Sequence, residues 1–440
     1  MSCQDLQARS LVAANCRLLT MNTKTSTRAI PPEAELLLRS ARARIDAETA
    51  ARIAALARKT IDWDYLLRVG QSHRVLPLLY RSLNQVCPDA VPPAILEGLR
   101  QYFYRNTEWN FFLTSVLLKV LKALEVEGIS AIPFKGPVLA AAIYGNLGLR
   151  QFNDLDILVH RRDIARTHNV LISQGFRGLR SGSSPNDPYF LKQDLEPDQI
   201  APLDPDCYTF FMRDDGRVKI DPQWRLTRRL FSFSLDSKHL WSHLEPFSLG
   251  GRTVLTFPPD ALLLILCAHG CKHLWQRLKW VCDVAQLIEV IRNNNPELFF
   301  EQSLRNGNRR MVSLGLLLAH DLLGASLPEH IVTEIRSDAT VKSAAIQVRQ
   351  RLFAETDQIL GDAERFIFYL KMQGSRLERL QYCLQHPAQY LRLLLDSVFS
   401  PTSIERSLLP LPRGLTFLYY AFRPLRLLLK YASQPFKRDC

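Results

Sequence analysis

The sequence has no pair of cysteines two residues apart, and its nine cysteines, at 3, 16, 87, 207, 267, 271, 282, 383 and 440, follow no regular spacing. An odd, unpatterned set argues against a disulfide framework and for reduced thiols in a cytoplasmic protein. No stretch reaches the ~18 consecutive apolar residues of a membrane span. The opening "MSCQDLQARSLVAANCRLL" breaks every apolar stretch with polar residues, unlike a secretory signal. There is no G-x-x-x-x-G-K-[ST] loop, no G-x-G-x-x-G and no G-x-S-x-G, which argues against P-loop, dinucleotide and nucleophile-elbow chemistry. Internal repeats and low-complexity tracts are missing as well.

What is present is an ordinary globular composition, 47% hydrophobic and 22% charged over 440 residues. That length gives a soft expectation of roughly three domains. The formal charge of +13 favours anionic partners without choosing among nucleotides, nucleic acid, phosphorylated sugars or acidic lipid. Part of the excess is local, since residues 413–440 hold Arg413, Arg423, Arg426, Lys430, Lys437 and Arg438 against Asp439 alone.

Residues 1–30 are polar and unpatterned and read as a disordered or weakly held lead-in, within which Met21 is a possible start. Residues 31–128 carry apolar residues at helical spacing, rich in Ala, Leu and Arg, with a longer helix inside 93–127. Residues 129–258 change character. "ISAIPFK" is a short strand, Gly136 breaks it, and "PVLAAAIY" opens a helix with proline. "DLDILVH" reads as a strand, "RRDIARTHNVLISQGF" as a helix ending near Gly175, and "CYTFFMR", "DDG" and "RVKIDPQW" as a hairpin. A loop covers 180–206, and a second hairpin is expected around Gly250 and Gly251. Residues 259–440 are helical, starting from Asp260 as an N-cap and interrupted at 295–297, 324–328 and 401–413.

The stretch that asks for an explanation is "DLDILV". Strand alternation points Asp154 and Asp156 the same way and sends Leu155 and Ile157 into the core. An isolated D-x-D is most often a solvated strand end. Here a strand, a glycine and a helix N-terminus precede it, an arrangement able to hold phosphate, with Lys135 beside the turn. Asp221 ends "RVKID", with Lys219 on its own side and Val218 and Ile220 on the other. Carboxylates this close need a cation between them, and Mg²⁺ takes one or two carboxylates plus water and substrate phosphates. Arg150, four residues before Asp154, is a candidate phosphate contact on equal terms with a surface or structural arginine.

This pattern resembles the polymerase-beta-like nucleotidyltransferase superfamily: a strand, a small-residue turn, a helix, D-h-D on a second strand and a third acid on a later one. "FKGPVLAAAIYGNLGLRQFNDLDILV", "IDPQWRL", "CAHGCKHLWQRLKWVCDVAQLI" and "FRPLRLLLKY" look like one bacterial family of uncharacterised nucleotidyltransferases. Members of that family often lie in gene clusters for polysaccharides or modified peptides. The likeness runs from about residue 33 to 432. It implies an α+β fold, a small mixed-sheet core with large helical flanks. Asp154, Asp156 and Asp221 would then be catalytic acids holding two Mg²⁺ ions, and Lys135 and Gly136 would contact the triphosphate of an NTP. The turn departs from the usual Gly-Ser, being Lys-Gly-Pro, and the gap from turn to acids is longer than usual.

"HGCKHLWQRLKW" puts His269 and His273 four apart. A zinc site lacks a third ligand here, and the stronger local reading is a helix lining the cleft or packing beneath it. Through the family likeness, which includes Trp275, Trp280 and Asp283, His269, Lys272 and His273 become candidates to face nucleotide or acceptor. Of Trp275 and Trp280, five apart, at least one belongs to the core. The acceptor is expected to be a small molecule, sugar or peptide and not nucleic acid, because no basic stripe interleaved with aromatics runs along the sequence. The C-terminal basic and aromatic segment is a minority candidate for peripheral membrane contact. The alternative to an enzyme is a nucleotide-binding or scaffolding protein with a decayed site. The intact acids speak against it and the altered turn speaks for it.

Overall fold

The computed structural model describes residues 31–181, 193–194, 208–226, 241–292, 296–305, 309–354 and 362–385, with single positions near the C-terminus. The lead-in at 1–30, most of the 180–206 loop and most of the basic C-terminal segment lie outside the described residues.

The described residues begin with five helices: α1 (Pro32–Ser40), α2 (Ala47–Ala57), α3 (Trp63–Ser72), α4 (Leu76–Val86) and α5 (Pro93–Val126). Their starts follow from capping chemistry. The Asp46 and Asp62 carboxylates accept the Thr49 and Tyr65 amides at 2.7 and 2.9 Å, while α1, α4 and α5 begin with proline in the first turn, where a missing N–H costs nothing.

The middle of the chain alternates. It runs β1 (Ala131–Pro133), α6 (Gly136–Tyr144), β2 (Asp154–Val159), α7 (Ile164–Ser173), β3 (Phe176–Ser181), β4 (Gln193–Asp194), β5 (Tyr208–Arg213), β6 (Lys219–Gln223), β7 (Glu245–Leu249) and β8 (Arg252–Thr256). Among the described residues six strands form one sheet in the order β1-β2-β6-β5-β3-β4, in which only β2 and β6 pair in parallel. Both expected hairpins are there. Gly216 turns β5 into β6 at φ +70°, and Gly250 and Gly251, at φ +58° and +79°, make the two-residue turn between β7 and β8. Strand β3 is an addition to the sequence reading, as "FRGLRS" has little apolar alternation to announce it.

The remaining helices among the described residues are α8 (Pro259–Lys272), α9 (Leu278–Ile291), α10 (Pro296–Arg305), α11 (Arg309–Leu323), α12 (Glu329–Ser337), α13 (Ala339–Leu352), α14 (Asp362–Met372) and α15 (Arg376–Gln385). Asp260 is not the N-cap of α8. Pro258 holds that position and Asp260 sits in the first turn, where its charge still complements the helix dipole.

The sheet divides two cores. Leu155, Ile157 and Val159 of β2 join Phe211, Val218 and Ile220 and the second half of α5, from Leu113 to Leu124. Leu158 and its β1 partner Ile132 pack instead with α8 and α9. Because strand residues alternate, Asp154 and Asp156 share the face of Leu158, so the acid-bearing face looks toward the C-terminal helices. Helix α5, about 50 Å long at 1.5 Å per residue, spans both cores, with Leu99 in the helical one and Leu117 in the sheet one. Among the described residues no helix is long and apolar enough to cross a membrane, and the described cysteines Cys87, Cys267, Cys271, Cys282 and Cys383 are free.

His168, on α7, is buried against the Phe211 ring at 4.9 Å, and among the described residues nothing hydrogen-bonds its Nδ1. Burial pushes its pKa down to about 4. Between pH 6.5 and 4 the unfolded chain therefore takes up a proton that the folded chain refuses, and stability falls as pH drops, by up to roughly 3 kcal/mol. Denaturant unfolding at pH 7 and pH 4.5 tests this. His168→Leu is expected to lose less stability than wild type across that interval, and equal losses would show that the imidazole is charged in the folded core.

Candidate active site

The acid face is built by register. In the parallel pairing of β2 and β6, Asp154 lies opposite Lys219 and Asp156 opposite Asp221. Paired residues on neighbouring strands point the same way, so three carboxylates and one ammonium share a surface. Asp156 and Asp221 are buried, at 7% and 2% exposure, and Asp154 is partly open.

Buried like charges must be compensated, and lysines do so here. Lys135 Nζ lies 3.3 Å from Asp156 Oδ1, which also accepts a 2.8 Å hydrogen bond from Gln223 Nε2. Lys219 Nζ donates to Asp221 Oδ2 at 3.2 Å. Each ammonium also rides over an aromatic ring, Lys135 over Phe134 at 4.8 Å and Lys219 over Phe210 at 4.7 Å. For Asp154 burial works against ionisation, but Lys135, Lys279, Lys219 and Arg150 more than offset it and hold its carboxyl below the usual range. Among the described residues no three His, Cys, Asp or Glu side chains converge as a metal-ligand group, and two of the three carboxylates, Asp156 and Asp221, are turned to lysine partners.

The turn before α6 abuts the acids. Gly136 has φ +52°, and a Cβ there would stand 3.3 Å from the Asp154 carbonyl oxygen and 3.6 Å from the Phe152 ring. Glycine lets the helix start lie directly against the acid strand. Lys135 is the N-cap residue of that helix.

The candidate phosphate arginine is a correction. Arg150 is 4% exposed, and its guanidinium makes a fork to Asp283 of α9, Nε to Oδ1 at 2.8 Å and a terminal nitrogen to Oδ2 at 2.9 Å. Tyr144 donates to the same carboxylate at 2.8 Å. Burial works against the Arg150 charge and Asp283 outweighs it, raising the pKa. A guanidinium so enclosed is a structural tie and does not face a phosphate.

His269 and His273 meet edge to face at 4.7 Å, and the His273 ring lies nearly parallel to Trp280 at 4.9 Å. Burial first, then the charges of Lys135, Lys272 and Lys279, push both imidazoles well below their ordinary range, so the pair is neutral. The influence of Lys135 on both brings the pair to the acid site. Lys272 closes α8, its carbonyl accepting a 2.6 Å hydrogen bond from the Tyr369 hydroxyl. Leu274 and Trp275 turn the chain in left-handed conformation, at φ 55° and 54°. Trp275 is fully buried in a notch where a Cβ on Gly270 would come within 2.5 Å of its ring, which fixes the corner between α8 and α9.

The sequence reading missed Lys279. It is buried on α9, donates to the Gln151 carbonyl at 3.2 Å and bears electrostatically on Asp154. Burial, with Arg150 adding to it, lowers its pKa to about 7. Nothing local could have found it, because it meets Gln151 across 128 residues. Gln223 was legible in principle, two positions past Asp221 on an alternating strand.

A mixed sheet carrying three acids beside a glycine turn, between helical flanks, fits an α+β nucleotidyltransferase-like fold. A family model described as uncharacterised nucleotidyltransferase matches residues 59–324, more than half of the chain, and the chain belongs to that family. Membership points to nucleotidyl transfer as the general chemistry. No curated protein matches the chain, and no solved structure matches it.

Two outcomes are expected here. Between pH 7 and 10.5 an unfolded Lys279 holds a proton that the folded one has released, so its contribution to stability rises with pH by up to about 1.4 kcal/mol per unit. Unfolding midpoints at pH 7 and pH 10 will be more alike in Lys279→Met than in wild type, unless the amine is charged when folded. Separately, Gly136→Ala will destabilise by about 1–2 kcal/mol, through positive φ and the Asp154 carbonyl. A neutral result in thermal unfolding would mean that the turn relaxes away from β2.

Proposed function

We propose that this protein is a Mg²⁺-dependent nucleotidyltransferase of the polymerase-beta-like kind, moving an NMP from an NTP to a hydroxyl or similar acceptor on a small molecule, sugar or peptide. The register of β2 against β6 supports this most directly, with Asp156 abreast of Asp221 and Asp154 on the same face. The donor set suits hard divalent cations, being carboxylate oxygens with no sulfur among them. Asp154, Asp156 and Asp221 would hold two such ions once Lys135 and Lys219 give up their contacts with Asp156 and Asp221, and the chemistry the ions would supply is to neutralise phosphate charge and acidify the acceptor hydroxyl.

The chain's own groups have separable tasks. Lys135 and Lys219 make the surroundings of Asp154 electropositive, which favours capture of a triphosphate. Gly136 lets the N-terminus of α6 approach close to the acid strand, where its free N–H groups suit a phosphate. The acceptor oxygen attacks the α-phosphorus in line, forming the new P–O bond as the bond to the β-phosphate oxygen breaks and pyrophosphate leaves. Asp221 would receive the hydroxyl proton. The neutral imidazoles of His269 and His273, with Trp280 behind them, offer an aromatic wall to a base or acceptor.

A second reading, a decayed nucleotide-binding or scaffolding protein, draws support from the lysine pairing of Asp156 and Asp221. Pyrophosphate release from each NTP with Mg²⁺, beside calorimetric NTP binding, separates the two. The first reading expects metal-dependent release that falls by about a hundredfold or more in the Asp154→Asn, Asp156→Asn double variant. Undiminished release in that variant would sink the acid assignment. NTP binding without release from any NTP or candidate acceptor would favour the decayed site.

A further inference from the structure

The segment leading into the acid strand has little secondary structure of its own, and helices hold it from two sides. From α5, Asn106 donates to the Gly148 carbonyl at 2.8 Å, and Asn110 to the carbonyls of Leu147 and Arg150 at 2.6 and 2.8 Å. From α9, two side chains one turn apart take consecutive residues. Lys279 holds the Gln151 carbonyl at 3.2 Å, and Asp283 holds the Arg150 guanidinium through two bonds of 2.8 and 2.9 Å. Gln151 is further tied by its side-chain amide to the Tyr102 hydroxyl. Three residues later comes Asp154.

Helix α9 is itself anchored at its start. The Lys279 amide donates to the His73 carbonyl at 3.2 Å, and the Leu278 amide to His73 Nδ1 at 3.4 Å, while His73 Nε2 meets the Leu352 carbonyl at 2.8 Å. It follows the fixed corner that carries His269 and His273, and it presents Trp280 to them. The helix that borders the aromatic wall is thus the helix that grips the approach to the acids.

We infer that Lys279 and Asp283 are positioning residues: a two-point grip from α9 on Arg150 and Gln151 that sets where Asp154 and Asp156 stand relative to β6. The grip acts through backbone and guanidinium geometry and touches no reacting atom. Its catalytic consequence rests on the nucleotidyl-transfer reading above, but its structural consequence does not. A side chain as long as lysine, buried where its charge is disfavoured, is a costly way to satisfy one carbonyl, and a fork to Arg150 four residues on adds a second point at fixed spacing. Together they fix both position and rotation of the corner, which one contact would not.

The test measures order at the acid strand before activity. Asp283→Asn alone leaves Arg150 buried without its fork and can unfold the protein, so the informative variants are Lys279→Met and the double replacement Arg150→Met with Asp283→Leu. Amide hydrogen exchange is followed over residues 150–156, with β5 and α13 as internal references, and Mn²⁺ affinity is measured by electron paramagnetic resonance without nucleotide. Both variants are expected to exchange about tenfold faster at 150–156 at unchanged reference rates, and to bind Mn²⁺ about tenfold more weakly, the range seen when groups behind a ligand shell are removed. Exchange at 150–156 equal to wild type in both variants would overturn the grip. If wild type itself takes up no Mn²⁺, the metal assignment fails and the exchange rates alone decide on the grip, for or against.

Discussion

Two carboxylates held abreast on neighbouring strands are the constraint around which the middle of this protein is arranged. At about 5 Å, the strand spacing, a pair of such charges repels by roughly 3 kcal/mol in a protein-like medium, before any cost of burial. The parallel register of β2 and β6 imposes that neighbourhood on Asp156 and Asp221, and burial removes the water that would screen it. Positive charge has to come from the chain or from a ligand. Lys135 supplies it to Asp156 from a turn and Lys219 to Asp221 from two places earlier on the same strand, each steadied by an aromatic ring. The lysines that make the acids tolerable in the fold are the same ones on which the proposed capture of a triphosphate draws.

The helical flanks do more than enclose the sheet. The face bearing the acids is turned toward α8 and α9, and those helices contribute the neutral imidazole pair, the Trp280 ring and Lys279. Further order comes from α5, whose first half belongs to the helical core and whose second half floors the sheet. A single long helix thereby ties two cores, and asparagines near its middle hold the segment that enters β2. A small sheet with short strands could not fix three acids by itself.

Much of the local architecture was legible in the chain. The proline opening "PVLAAAIY" and the paired glycines at 250 and 251 marked elements that the structure contains, because each acts over a few residues. Alternation along "DLDILV" and "RVKID" was enough to put Asp154 and Asp156 on one face and Asp221 beside Lys219. Arg150 shows where such reading stops. Four residues from an acid in sequence, it resembled a phosphate contact, yet its partner Asp283 lies 133 residues away and encloses it. Asp260 was misplaced for a smaller reason, since Pro258 and Pro259 already define the helix start and leave the carboxylate in the first turn.

The sequence by itself determined many of the helical stretches, the alternation of "DLDILV" and "RVKID", and that two acids on one strand and a third on another could share a chemistry, all consequences of backbone sterics and short-range periodicity. Only the tertiary structure decided that β6 lies parallel beside β2 with Asp221 abreast of Asp156, that this face meets α8 and α9, and that Lys279 and Asp283 reach Gln151 and Arg150. Those choices depend on which apolar surfaces bury each other between segments far apart in the chain, up to 133 residues for Arg150 and Asp283, and no local pattern encodes that pairing.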